Sequence, residues 1–282
     1  MTDIWLAVAV VLGVALALGS TLGRIAIRNI GRWATGLFAL TLMTMVLTLL
    51  MTWGRLYWAR WLPVSAAIIY TNVAVYFGAA AAGLSLGLEK IPLTRRVGTC
   101  VLLCLVVVLM STWPLVSIVI RPPMPGQDVW NGPVAMQTGP TTCSPAAAAT
   151  LFAAEGIRTS EKEMVSLCLT DRSGTPTLGM YRGVKLMAKR HGKSVEILPP
   201  TVPQLLSQND WPVYLAVRLP YGIEDRRYKD EWGWIPGQGH SVVMLGTDGP
   251  DFAIIGDPSI GPERWSIDDL HVLWQGEGMR VK

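Results

Sequence analysis

Four uncharged apolar stretches dominate the first 120 residues: roughly Ile4–Leu22, Trp33–Trp53, Trp61–Leu88 and Val97–Ile120. Each is about as long as the ~20 residues that a helix needs to cross the hydrocarbon core of a bilayer. Four buried helices of a water-soluble domain would carry polar faces, and these segments lack them. Trp33, Trp53, Tyr57, Trp58 and Trp61 gather at their ends, where aromatic rings favour the membrane–water interface. Ile4–Leu22 has the length of a signal peptide, but no basic stretch precedes it and three more spans follow. The sequence predicts an all-α transmembrane four-helix region over residues 1–120, embedded in a lipid bilayer.

Charge placement orients these spans. The 23–32 loop carries Arg24, Arg28 and Arg32, and the 89–96 loop carries Lys90, Arg95 and Arg96, whereas the loop between them has Arg55 and Arg60. Cytoplasmic loops keep the excess of Lys and Arg. Loops one and three are therefore expected inside, and both termini outside the cytoplasm. Residues 1–120 hold eight basic and two acidic residues, while 121–282 hold sixteen and eighteen. The net +4 thus comes from short membrane loops, which excludes a nucleic-acid-binding reading of the positive charge. No span carries a charge suited to a proton relay or ion site. Cys100 and Cys104 lie one helical turn apart, as a metal pair or as small apolar packing residues. With no His or carboxylate near in sequence, packing is the preferred reading, no metal is expected, and the membrane half reads as an anchor.

Pro122, Pro123, Pro125 and Gly126 mark a linker over 121–129 in which neither helix nor strand should persist. The remaining residues, 130–282, suffice for one domain with its own core. An Ala-rich helix is expected over Ser144–Glu155, ended by Gly156. A second helix begins at a Ser160/Glu163 capping box and runs to about Leu169. A third covers Leu178–Arg190 and stops at Gly192. Strands follow at Ser194–Ile197, Val213–Val217, Ser241–Leu245 and Phe252–Gly256, with Asp248-Gly249 as a hairpin turn. Ser266 and Asp269 cap a last helix, Ile267–Leu273. Helices first and strands later indicate an α+β fold.

Two cysteines and three histidines in this half are the residues able to carry chemistry. Cys143 stands at the head of the Ala-rich helix in Gln137-Thr-Gly-Pro-Thr-Thr-Cys143-Ser-Pro-Ala146. The positive end of a helix dipole and unpaired N–H groups favour a thiolate there, and nucleophilic cysteine chemistry needs that thiolate beside an imidazole. A free buried cysteine is the plainer alternative. Cys168, flanked by Leu167 and Leu169, fits that alternative, and a Cys143–Cys168 disulfide suits only an oxidising compartment. His240 follows Gly237-Gln-Gly239 and opens an apolar strand, so its ring can sit at a strand edge facing a cleft. His191 ends a basic helix and reads as facing solvent and the helix C-terminus, and His271 lies in the last helix and reads as a surface or packing residue. Asp257 closes the next strand, and a hairpin from 241 to 257 returns it beside His240, where a carboxylate fixes the ring. A turn aspartate before Pro258 is the alternative. The long 219–239 segment, with Tyr221, Asp225, Arg226, Arg227, Tyr228, Trp232 and Trp234, is either a cleft-covering loop that selects substrates or a solvated loop.

Together these residues resemble the bacteriocin-processing cysteine peptidases, the papain-like domain with which bacteriocin-exporting ABC transporters cut double-glycine leaders. The resemblance covers about 130–278. Gln137 stands six residues before Cys143 and Ala146 three after it; His240 opens an apolar strand, Asp257 precedes Pro258, and Trp274-Gln-Gly276 approximates the family's ending. The pattern departs from the family at Thr142 and Ser144, where Asp and Gly are usual, and in placing four spans before the domain. No phosphate-binding Gly-rich loop with Lys-Ser/Thr is present, so no ATP-binding domain is expected in this chain. The resemblance implies a papain-like cysteine peptidase of peptide or protein substrates, without cofactor, in a bacterial inner (cytoplasmic) membrane. It implies Cys143 as nucleophile, His240 as base and acid, Asp257 as orienter and Gln137 in the oxyanion hole. An inactive peptide-binding module and an amide hydrolase or transferase on the same fold remain as alternatives.

Overall fold

A computed structural model of the protein describes residues 1–30, 33–52 and 54–282. Gly31, Arg32 and Trp53 lie outside the described residues, and with them the expectations resting on Arg32 and Trp53. The first 120 residues form α1 (Thr2–Ile25), α2 (Ala34–Thr52), the one-turn helices α3 (Trp58–Trp61) and α4 (Ala67–Tyr70), α5 (Ala74–Ser85) and α6 (Leu93–Ile120). The chain divides into two compact units, one comprising residues 1–55 and 66–116, the other 56–65 and 117–282.

In the first unit, four helical segments are long and apolar enough to cross a membrane: Thr2–Arg28, Ala34–Thr52, Ala67–Ser85 and Leu93–Ile120. The third starts later than its apolar run suggests, because Trp61 belongs to α3 in the second unit. It is also broken, since Thr71–Val73 separates α4 from α5. Asn72 sits in that break and donates Nδ2–H to the Met110 carbonyl at 3.3 Å. Met110 is four residues before Pro114, whose missing N–H would otherwise leave this carbonyl of α6 without its helical donor. The Asn72 side chain supplies the donor that the proline removes. Helix α5 is buried against α1 through glycines: a Cβ on Gly83 would run into the Gly19 backbone, and one on Gly87 into Ala26. Small residues four apart on both helices permit that approach.

The second unit is an α+β domain. After an irregular stretch come the short hairpin β1 (Trp130–Asn131) and β2 (Val134–Ala135), then α7 (Cys143–Ala154), α8 (Glu161–Leu167) and α9 (Thr177–Arg190). The remaining elements are β3 (Val195–Ile197), α10 (Val202–Gln208), β4 (Val213–Arg218), β5 (Gly239–Asp248), β6 (Phe252–Asp257), β7 (Gly261–Ser266), α11 (Ile267–Leu273) and β8 (Trp274–Val281). Six strands make one antiparallel sheet in the order β3-β8-β4-β5-β6-β7. Alternation along the strands divides its faces. Val213, Leu215, Val217, Val242, Met244, Ala253 and Ile255 form a core with α10, α11 and Tyr228. On the other side, Tyr214 and Ser241 meet α7. Ala146 to Ala149 of α7 are all fully buried, and such small side chains let the helix lie close to the strands.

Several elements differ from the sequence reading. The Trp274-Gln-Gly276 ending is the start of β8, an interior strand between β3 and β4. Its glycines hid it, yet a Cβ at Gly278 would strike the Tyr214 carbonyl, so glycine is what admits the strand there. Ser160 caps α8 by accepting from Glu163 N–H at 3.3 Å, but the Glu163 carboxylate turns to Thr159 and Arg190 instead of returning to the cap. Residues 121–129 contain no helix or strand before Trp130, yet they are strapped down: Arg121 pairs with Asp171 at 2.9 Å, and Gln127 N–H donates to Glu161 at 2.8 Å. The 56–65 segment is likewise tied into its unit, Arg60 donating to the Leu198 carbonyl at 2.7 Å and Leu56 N–H to Glu277 at 3.2 Å.

Cys168 is fully buried beside Met180, under Gly183 of α9, where a Cβ would collide with its sulfur. Gly183→Ala should therefore cost about 1–3 kcal/mol through overpacking. Adding Cys168→Ala should recover part of that loss, since the two changes share one space. Thermal unfolding of the four proteins of this cycle checks it; strict additivity would mean that the two sites do not touch.

Candidate active site

Helix α7 starts at Cys143 after a Gly-Pro-Thr-Thr approach, in which the Thr142 hydroxyl donates to the Gly139 carbonyl at 3.0 Å and accepts the Gly139 N–H at 3.0 Å. This cross-bracing ends the loop and aims the first turn of α7 outward. The approach is held further back by Glu161, only 1% exposed, whose carboxylate accepts from Gln127 N–H, Thr138 N–H and the Thr138 hydroxyl. Those donors replace the water that the carboxylate has lost. Glu161 looks like an ordinary first-turn acid in sequence, and nothing local signals its burial.

His240 is the second residue of β5, paired opposite Val217. Hairpin β5–β6 runs in a register that sets Val243 against Gly256, bringing Asp257 back alongside the start of β5. Nε2 of His240 lies 2.9 and 3.0 Å from the two oxygens of Asp257, which is 3% exposed. The carboxylate also accepts from Ser259 N–H at 2.6 Å. With Nε2 committed, Nδ1 is the nitrogen left for the thiol. The Cys143 thiol lies close enough to the His240 ring for each to shift the other's ionisation, so Cys143, His240 and Asp257 fall in one row.

Behind the thiol stands a hydroxyl chain that the sequence reading did not find. Ser144 Oγ and Ser241 Oγ are 2.7 Å apart, and Tyr214 Oη is 2.9 Å from Ser241 Oγ, all three residues buried. Two consecutive helix residues thus meet two consecutive strand residues, Cys143 with His240 and Ser144 with Ser241. The only sequence signal was strand alternation, which turns Ser241 inward toward α7. Ser144, where the resembled family usually has Gly, supplies the first hydroxyl of this chain.

These contacts set the electrostatics. Burial pushes the Cys143 thiol up, but hydrogen bonding and charge from His240, then hydrogen bonds from Ser144 and Ser241, leave it below the ordinary thiol range. Burial pushes the His240 ring down, and Asp257 and Cys143 outweigh it, leaving the imidazolium favoured well above the usual imidazole value. Cys168 contrasts with Cys143: burial raises it, as expected of an inert core thiol. His191 and His271 are both exposed and take no part in the row.

Gln137 is placed on the approach to α7. Its N–H donates to the Pro258 carbonyl at 2.8 Å, its side-chain oxygen accepts from the Ser259 hydroxyl at 3.0 Å, and Nε2 donates to the Gly139 carbonyl at 3.2 Å. The turn that carries Asp257 therefore also fixes the Gln137 amide, and one amide proton is left over. The 219–239 segment exposes most of its side chains but is pinned to the domain by its aromatic residues. Tyr228 is buried and donates to Asp269 at 2.8 Å, Trp232 and Trp234 pack against the buried Trp265, and Trp234 meets the His240 ring edge-on at 5.6 Å. Among the described residues no group of three or more His, Cys, Asp or Glu is arranged to hold a metal ion, and Cys100 and Cys104 are free.

No family model matches the chain, and no curated protein matches it. Among solved structures, the peptidase domain of Streptococcus ComA, a bifunctional ABC transporter of a quorum-sensing pathway, is 21% identical with a TM-score of 0.41, covering 52% of this chain and 96% of its own. The peptidase domain of Streptococcus mutans ComA is 22% identical with a TM-score of 0.36, covering 53% and 98%. A double glycine motif protease from an AMS/PCAT transporter, solved with its leader peptide, is 18% identical with a TM-score of 0.41, covering 57% and 97%. Likeness at this level leaves the chemistry to be read from the site itself.

With the thiol lowered and the imidazole raised, the thiolate–imidazolium pair is favoured in the pH interval between the two. Alkylation of Cys143 by iodoacetamide should set in at lower pH than alkylation of an ordinary thiol of pKa about 8.5. Ser241→Ala should move the acidic limb up by about one pH unit, the worth of one hydrogen bond to a charged group. Tyr214→Phe should move it less, acting through Ser241. An unmoved limb in Ser241→Ala would remove the hydroxyl chain from the thiol's environment.

Proposed function

We propose that the second unit is a papain-like cysteine peptidase, with Cys143, His240, Asp257 and Gln137 as its catalytic groups. The observation that carries this reading is His240 held by a buried carboxylate beside a thiol at a helix N-terminus, the arrangement an activated nucleophile requires. The Cys143 thiolate attacks the scissile carbonyl carbon, and the C–N bond breaks as the imidazolium of His240 gives its proton to the departing amine. Water, deprotonated by the now neutral imidazole, then hydrolyses the thioester and restores the thiolate. Asp257 keeps the ring oriented and favours its charged form. The remaining Gln137 amide proton and the first-turn N–H of Cys143, which has no intrahelical acceptor, donate to the oxyanion. An inactive binding module would not need this set of groups aligned. The four apolar segments anchor the enzyme in a bacterial inner membrane, and the loop charges put the peptidase on its outer side. The substrates are then peptides and proteins of the envelope, leader segments included.

Cys143→Ala should abolish turnover with the fold retained, because Ala suits the start of an Ala-rich helix, while Cys168→Ala should keep activity. Comparing new N-termini in envelope proteins between wild-type and Cys143→Ala cells checks this; identical N-termini would remove the assignment. Gln137→Ala should lower the rate at saturating substrate by about 10²-fold with little effect on binding of uncleaved peptide. Near-normal turnover would take Gln137 out of the site.

Topology has its own test. Reporter fusions after Ile120 should read as extracytoplasmic and fusions within 23–30 as cytoplasmic; the reverse pattern would move the enzyme and its substrates to the other side of the membrane.

A further inference from the structure

Beside His240 lies a cavity of about 210 Å³, walled by Trp232, Trp234, Ile235 and Ile260 and bounded by the His240–Asp257 pair. Cys143 and Gln137 are not among its lining residues. We propose that this cavity is the subsite for the residue immediately after the scissile bond, and that it selects an apolar side chain there. The inference rests on the peptidase reading and deepens it.

Its position follows from the proton that His240 must deliver. The acyl half of the substrate stays over Cys143 and the oxyanion donors, while the leaving amine must pass the imidazole to be protonated. A cavity that includes the imidazole but not the nucleophile therefore lies on the leaving side. Its size suits one side chain, being below the ~300 Å³ at which pockets for drug-sized ligands begin.

Its chemistry follows from the walls. Trp232 stacks on Trp265 at 6.3 Å and Trp234 meets the same ring at 5.9 Å, so both are seated on a side chain that is 1% exposed. Ile235 and Ile260 remain 61% and 50% exposed at the mouth, apolar surface that a bound side chain would cover. No Lys or Arg lines the cavity, and its one carboxylate, Asp257, is committed to His240. Glu263 stands nearby, its carboxyl raised by burial and by the charge of Asp257. Gln238 and Ser259 also line the cavity, but the Ser259 hydroxyl is given to Gln137 and the His240 charge is offset by Asp257, so an acidic substrate residue would lose water with little to replace it, whereas Leu, Ile, Met or Phe would lose nothing.

The test uses the full chain in detergent and an equimolar library of unstructured 14-residue peptides, with cleaved bonds located by mass spectrometry. Wild type should favour Leu, Ile, Met and Phe over Ala after the cut by roughly tenfold or more in relative kcat/KM, and should cut before Asp and Glu least. Ile235→Ser and Ile260→Ser change exposed side chains and should leave folding intact. Each should reduce the apolar-to-Ala ratio several-fold, and a ratio taken within one variant cancels any change in overall rate. Cleavage with no preference at that position overturns this subsite and leaves the peptidase reading standing. A preference that survives both substitutions also overturns it, because the selection is then made elsewhere. No cleavage by wild type, together with no difference between wild-type and Cys143→Ala cells, overturns the peptidase reading and the subsite with it.

Discussion

Asp257 has given up almost all of its water, and a carboxylate in that position is tolerated only where partners replace the lost hydration. Both its oxygens face Nε2 of His240, and Ser259 N–H supplies a further donor. Much else depends on this arrangement. It commits one ring nitrogen, so the other faces Cys143; it favours the imidazolium, and the imidazolium in turn draws the thiol below its ordinary range despite burial. The same turn holds Gln137 at two points, through the Pro258 carbonyl and the Ser259 hydroxyl. One short stretch after β6 thus sets the ring, its charge and the proposed oxyanion donor together.

Cys143, His240 and Asp257 were legible because each stands where local punctuation meets a regular element. A Gly-Pro-Thr-Thr approach precedes an Ala run, Gly-Gln-Gly precedes an apolar strand, and an Asp-Pro closes the next one. The supporting groups were not legible because their roles depend on register and packing. Ser241 and Tyr214 read as ordinary strand residues until the β4–β5 pairing and the position of α7 put their hydroxyls together. Glu161 reads as a helix-start acid until the chain before Cys143 folds over it. Strand β8 was lost to its glycines, and α10 was lost behind a Pro in its first turn, a position that proline tolerates because the N–H there has no helical acceptor. Length and alternation announce an element; close approach, which glycine permits, does not announce itself.

The apolar first half shows the same division. Apolar length was enough to locate four segments, but not the break in the third. Asn72 and Pro114 are forty-two residues apart in sequence and make sense only as a pair, one supplying the hydrogen bond whose usual donor the other removes. Likewise Gly19 and Gly83 are unremarkable singly and become a contact only when α1 and α5 are brought together.

In the proposed reaction the Cys143 sulfur becomes covalently bonded to the acyl half of a peptide and His240 drives the exchange. Intact-mass measurement of the acid-quenched full chain, after brief exposure to a peptide ester that the wild-type enzyme hydrolyses, tests this directly. The account predicts a mass increase equal to the acyl fragment, mapped to Cys143 by fragmentation, absent from Cys143→Ala and strongly reduced in His240→Ala. Ester turnover with no adduct on Cys143, or with an equal adduct when His240 is replaced, would contradict it.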